Sequence, residues 1–158
     1  MQSLIPTLAA AAALAFSASA LAEGMQISKN GSRHGMLAPD AHFTGTAYVE
    51  MLFDAEGAAR SNGASVTFLP GARSDWHTHP GGQVLIVTDG TGWVQEAGGE
   101  RIEMHPGDVI VTPPGVKHWH GATATTAVTH HAIQQFADGS NVVWQEAVTD
   151  AQYKGDAE

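Results

Sequence analysis

Beyond residue 43 the chain alternates short apolar stretches with turn residues, and nowhere does it sustain the 3.6-residue period of a long amphipathic helix. Runs rich in β-branched and aromatic residues at 45–53, 64–69, 83–88, 92–96, 100–104, 108–112, 118–121, 125–135 and 142–146 predict strands. The punctuation between them is strong: Pro70-Gly71, Pro80-Gly81-Gly82, Asp89-Gly90, Gly98-Gly99, Pro106-Gly107, Pro113-Pro114-Gly115 and Asp138-Gly139. Many short strands closed by Gly and Pro turns predict a single all-β domain over 43–148, a sandwich or a barrel. Residues 23–42 carry Gly, Asn, Ser and Pro with little periodicity and read as an N-terminal arm holding at most one short strand. The C-terminal tail, 149–158, has room for a short helical turn.

The opening segment follows a different rule. Residues 4–16 are almost wholly apolar, too short to span a bilayer, and run into Ala20-Leu21-Ala22, an A-x-A cleavage pattern. A signal peptide over 1–22 is expected, with cleavage after Ala22 and export to a periplasm or the exterior. Its first three residues contain no Lys or Arg, so the terminal amine supplies that region's positive charge. Roughly 136 residues then remain to fold, one domain's worth.

Composition narrows the chemistry. Sixteen acidic against seven basic residues give a formal charge of -9, which excludes basic-patch binding to nucleic acid or to an anionic membrane. The absence of cysteine removes disulfides, thiolate nucleophiles and cysteine zinc sites together. Nine histidines remain, and their spacing is informative.

His77 and His79 lie two apart, so an extended backbone turns both imidazoles to one face. Gln83 follows the Pro80-Gly81-Gly82 turn, which can return the chain so that its amide oxygen reaches the same point. His118 follows a second Pro-Gly turn and makes a natural fourth ligand. His120 shares its parity and is placed beside the site rather than on the metal, while Trp119 points to the opposite face. Three imidazoles and an amide would leave a divalent ion's charge uncompensated, favouring Lewis-acid over oxygen-activating chemistry. Such ligands accept manganese, iron, nickel or zinc. His34, His42 and His105 sit in irregular or turn segments and are read as solvent-facing. Trp76, Trp93, Trp119 and Trp144 are assigned to packing.

These residues resemble a known pattern. Gly71-x5-His77-x-His79-x3-Gln83-x6-Gly90 and Gly107-x5-Pro113-x-Gly115-x2-His118 are similar to the paired motifs of the cupin superfamily, with Gln83 where the family normally has Glu and Ala122 where it often has Asn. The resemblance implies a single-domain double-stranded β-helix, a jelly-roll barrel with a metal site inside. The stretches 43–46, 63–68, 76–80, 117–122, 125–130 and 148–153 further resemble the bacterial cupin hydroxynitrile lyases, a manganese-dependent family acting on cyanohydrins such as mandelonitrile. By that resemblance His77, His79, Gln83 and His118 hold Mn2+, and Ala64, Val66, His120, His130 and Gln134 surround the substrate. Parity sends His130 and His131 to opposite faces without choosing between them; the resemblance selects His130 as the base. Gln134 and His120 would orient the nitrile or the departing cyanide.

The functional expectation is therefore a metal-dependent hydroxynitrile lyase with a small-molecule substrate. The alternatives are a metal-dependent cupin oxygenase and a non-catalytic small-molecule binder, since the fold alone implies no chemistry. A homodimer or tetramer is expected, with 43–53 as the pairing edge.

Overall fold

The computed structural model describes residues 24–55 and 60–156, so the expected signal peptide lies outside the described residues. Thirteen strands and one helix follow in chain order among those residues. They are β1 (Gly35–Leu37), β2 (Phe43–Thr44), β3 (Ala47–Phe53), β4 (Ser61–Phe68), β5 (Arg73–Ser74), β6 (His77–Thr78), β7 (Gln83–Gly90), β8 (Gly92–Glu96), β9 (Ile102–Met104), β10 (Val109–Thr112), β11 (His118–Ala122), β12 (Val128–Gln135), β13 (Val143–Trp144) and α1 (Asp150–Lys154). No described helix is long and apolar enough to cross a membrane.

The strands form two curled antiparallel sheets, the all-β barrel that the turn spacing predicts and the jelly roll that the resemblance implies. One sheet runs β1-β3-β4-β12-β7-β10; the other runs β13-β6-β11-β5-β2, with β8 pairing β11 and β9 pairing β8. Strand alternation explains the core. In β7, Gln83, Leu85 and Val87 turn inward, and in β12 Val128, His130 and Ala132 do the same. Phe68, Val66 and Ala64 face them from β4, and Val94, Met104 and Ala122 close the barrel from the second sheet. A register shift at Thr129/His130 keeps Val128 and His130 both inward while β7 accommodates one extra residue.

One expectation changes. Of the expected pairing edge 43–53, β3 is not an edge, because it is hydrogen-bonded to β1 on one side and β4 on the other, whereas β2 ends the second sheet. The arm's one short strand, β1, takes the edge instead. Trp119 turns away from the barrel and packs, as expected, in a second core outside it with Trp76, Trp93, Val148 and Tyr153. That core is covered by α1. Thr149 caps the helix in a capping box with Gln152, and Gly155 ends it at φ 76°. The buried Arg73 guanidinium donates to Val148 O and Asp150, and Tyr153 Oη donates to Ala122 O at 3.0 Å.

Close backbone packing also demands glycine at Gly121, where a Cβ would stand 2.4 Å from Ala72 O.

Tyr153 ties the tail to the barrel, so Tyr153→Ala is expected to cost about 3 kcal/mol, the scale of a large aromatic deletion. Tyr153→Phe, which only leaves the Ala122 carbonyl without its partner, should cost about 1 kcal/mol. Urea unfolding of the two variants checks both values.

Candidate metal centre

β6 carries His77, the Pro80-Gly81-Gly82 turn follows His79, β7 begins at Gln83, and β11 begins at His118. The two Pro-Gly turns are stitched at one atom: His79 O accepts from Gly82 N at 3.1 Å and from Gly115 N at 3.0 Å. Both glycines have φ near +80°, at 84° and 77°, which their neighbours in the turn could not adopt cheaply. His77 and His118 are paired directly across β6 and β11. The fold thus brings the three predicted imidazoles and Gln83 to one place. One potential ligand nitrogen from each of His77, His79 and His118 lies within 4.8 Å of the others, and all three residues are buried.

Each ring has its Nδ1 against a main-chain carbonyl: His77 to Asp75 O at 2.9 Å, His79 to Asn141 O at 2.5 Å, His118 to Val116 O at 3.0 Å. A carbonyl can only accept, so Nδ1 carries the proton and Nε2 is left with its lone pair. His79 Nε2 is buried with no hydrogen-bond partner. Gln83 Oε1 stands 3.0 Å from His118 Nε2, which sets two lone pairs face to face. A cation shared by these atoms relieves both features, so the donor set fits a divalent metal ion.

His120 and His130 form a second imidazole group beside the first. His130 Nε2 and His120 Nδ1 are 3.1 Å apart, and the His120 ring centroid is 5.3 Å from His77 and 6.0 Å from His118. His130 is fully buried, whereas its neighbour His131 lies on the outer face, as parity requires. Phe68 packs against both rings of the pair. Val66 lies directly across from His130, and Ala64 across from Ala132, so both candidate wall residues line the inner face. Gln134 shares that face and sits opposite Gln83 on β7 and Asn62 on β4.

The sequence reading missed three contributors. Asn141, after the Asp138-Gly139 turn, supplies the carbonyl to His79, and its side chain donates to Gln134 Oε1 and Asn62 Oδ1. Trp144, assigned to packing, lies 4.9 Å from the His77 ring. His42 is not simply solvent-facing: it stacks on Trp144 at 4.6 Å and 6°. His34 and His105 are exposed, as expected. The Asp138-Gly139 dipeptide was the available signal, since it announces a tight hairpin that brings the following residue back onto the sheet.

Burial governs the electrostatics. It lowers the His79 and His130 pKa values to about 4 and pushes His77 and His120 well below the ordinary imidazole value, helped by neighbouring His118 and His130 respectively. The rings are neutral at pH 7, the form that offers a lone pair.

A depressed folded-state pKa makes the unfolded chain the better proton binder between about 6.5 and 4, so stability is full above pH 6.5 and falls as pH drops toward 4. For His130 the shift corresponds to about 3 kcal/mol. Urea unfolding of metal-free protein should show this loss, and His130→Phe should reduce the slope.

Comparison with known proteins places these observations. A family model for the cupin domain matches residues 64–133, the stretch that holds the three-histidine group, His120 and His130. A protein named (R)-mandelonitrile lyase from Granulicella tundricola is 55% identical over 130 residues, which span 82% of this chain and 99% of that protein. A gentisate 1,2-dioxygenase from a Ralstonia species is 38% identical over 53 residues, 34% of this chain and 15% of its own length. Among solved structures, a cupin-like protein from Thermotoga maritima superposes with a TM-score of 0.73 at 38% identity, covering 85% of this chain and 98% of that one. With its curled antiparallel barrel and inward-facing histidine group, the chain belongs to the cupin family.

Proposed function

We propose that this protein is a metal-dependent hydroxynitrile lyase, cleaving or forming cyanohydrins in the barrel. The observation that carries the reading is the neutral, buried His120–His130 pair beside the three-histidine group, in a chain 55% identical to a protein named (R)-mandelonitrile lyase. His77, His79, His118 and Gln83 would hold the ion. When bound, a divalent metal, manganese by the family resemblance, supplies Lewis acidity that acidifies a substrate hydroxyl.

The chain's own residues then handle the proton and the nitrile. His130 takes the hydroxyl proton as the carbonyl forms and the carbon–cyanide bond breaks, with the bonding electrons leaving on cyanide. Its low proton affinity keeps it in the accepting form at mildly acidic pH. Tautomer exchange across the 3.1 Å contact moves a proton between His130 and His120, so the pair can return it to cyanide. Gln134 donates to the nitrile nitrogen. Ala64 and Val66 are small and leave room for the substituent on the carbinol carbon.

The partial match to a gentisate 1,2-dioxygenase supports a second reading, metal-dependent oxygenation. Export through residues 1–22 and assembly into a homodimer or tetramer complete the proposal; the exposed apolar side chains of Val109 and Val111 on β10 support association between copies.

Manganese-loaded protein is expected to release cyanide from mandelonitrile in mildly acidic buffer above both a chelator-stripped sample and a protein-free control. No excess release from verifiably loaded protein, together with oxygen uptake, would favour the oxygenase instead. His130→Ala should retain its metal, read by elemental analysis, and lose about a hundredfold or more in turnover.

A further inference from the structure

We propose that Asn141 is a positioning residue that sets which way the Gln134 amide faces, turning its NH2 group rather than its carbonyl into the substrate cavity. The inference rests on the reading of Gln134 given above and concerns a residue outside the motif segments.

Asn141 is held from both sides. Before it, Asp138 and Gly139 have φ of 52° and 80° and close a two-residue hairpin, with Ala137 and Ser140 exchanging both main-chain hydrogen bonds at 3.0 Å. After it, β13 pairs with β6, Val143 against Thr78 and Trp144 against His77. Its main-chain oxygen accepts from His79 Nδ1. The side chain is thereby placed over the ends of β4 and β12, where Asn62 and Gln134 are direct cross-strand neighbours.

Donor counting then decides the orientation. Asn141 Nδ2 has two hydrogens, and they go to Gln134 Oε1 at 3.1 Å and Asn62 Oδ1 at 3.2 Å. With Oε1 occupied there, the Gln134 NH2 forms the other branch of the planar amide and points away from Asn141. Gln134 shares the inward parity of His130 and Ala132 and neighbours Gln83, so that side is the barrel interior. A neutral donor suits a nitrile nitrogen or departing cyanide across the whole pH range in which the imidazoles stay neutral. An unanchored glutamine could present either end; Asn141 removes the choice.

Asn141→Asp reverses the polarity with almost no change in shape. The carboxylate can only accept, so Gln134 and Asn62 must turn their NH2 groups toward it, and the Gln134 carbonyl then faces the nitrile. With manganese-loaded protein and mandelonitrile, Asn141→Asp is expected to lower kcat between about tenfold and a hundredfold at unchanged metal content, since the His79 partner is main chain. Asn141→Ala and Gln134→Ala should be strongly non-additive, the double variant being no slower than Gln134→Ala alone. A general structural role would instead give additive losses. If Gln134→Ala keeps wild-type kinetics, the catalytic reading of Gln134 is what fails. Side-chain amide 1H–15N spectra of zinc-loaded protein test the contact independently of turnover. Asn141 NH2 protons should be protected from exchange, and Asn141→Asp should shift the Gln134 pair. Unprotected Asn141 protons, an unmoved Gln134 pair, or additive kinetic losses would each overturn the proposal.

Discussion

Three neutral imidazoles can sit side by side with their Nε2 lone pairs turned to one point only if their Nδ1 protons are committed elsewhere, and the fold meets that condition with main-chain carbonyls. Asp75, Val116 and Asn141 provide them, from three separate stretches of chain. Because the acceptors are backbone atoms, the orientation of each ring is tied to strand and turn geometry rather than to another side chain. The turns at Gly82 and Gly115, both anchored on the His79 carbonyl, hold two of the histidine-bearing segments together. Burial then keeps the rings neutral, at the cost of a lone pair at His79 Nε2 with no partner in the protein. Site and barrel are therefore one construction.

The inner wall divides into two zones of different character. Gln83, Gln134, Asn62 and Asn141 make an amide-rich end, whose groups donate and accept without titrating. Deeper in, His120 and His130 meet Phe68 and Val66, an apolar lining that depresses proton affinity. Proton-accepting groups and non-titrating hydrogen-bonding groups are thereby kept in separate parts of the wall. On the far side of β11, Trp119 and its aromatic neighbours pack under the C-terminal helix, so the tail stabilises the strand that carries His118 and His120 without entering the cavity.

Much of this was legible in the chain. The strands and turns followed from β-rich runs separated by Gly and Pro, because those residues act locally: a positive φ at Gly82 or Gly90 is required whatever the rest of the fold does. The convergence of His77 and His79 followed from the two-residue period of extended backbone, and His118 from a Pro-Gly turn. The choice of His130 over His131 did not follow, since both faces of β12 are mixed in sequence. It needed the register that opposes His130 to Val66 and Val87 inside the barrel.

What only the tertiary structure decided has a common physical cause: each case depends on contacts between residues far apart in the chain. Asn141 reaches His79 and Asn62 across most of the domain, and the Asp138-Gly139 turn before it announces a hairpin without naming the buried imidazole that its carbonyl meets. Trp144 and His42 stack because β13 pairs β6 and β2, next to His42, pairs β5, and β5 and β6 were too short to read as strands. The loss of the edge at β3 likewise depended on the arm folding back to pair with it. Sequence alone determined the longer strands, the turns and the residue types able to bind a metal, because those are set by backbone sterics and side-chain chemistry. Which imidazole faced inward, which carbonyl fixed each tautomer and which amide faced the cavity were decided by sheet register and loop closure, properties that exist only once the barrel is assembled.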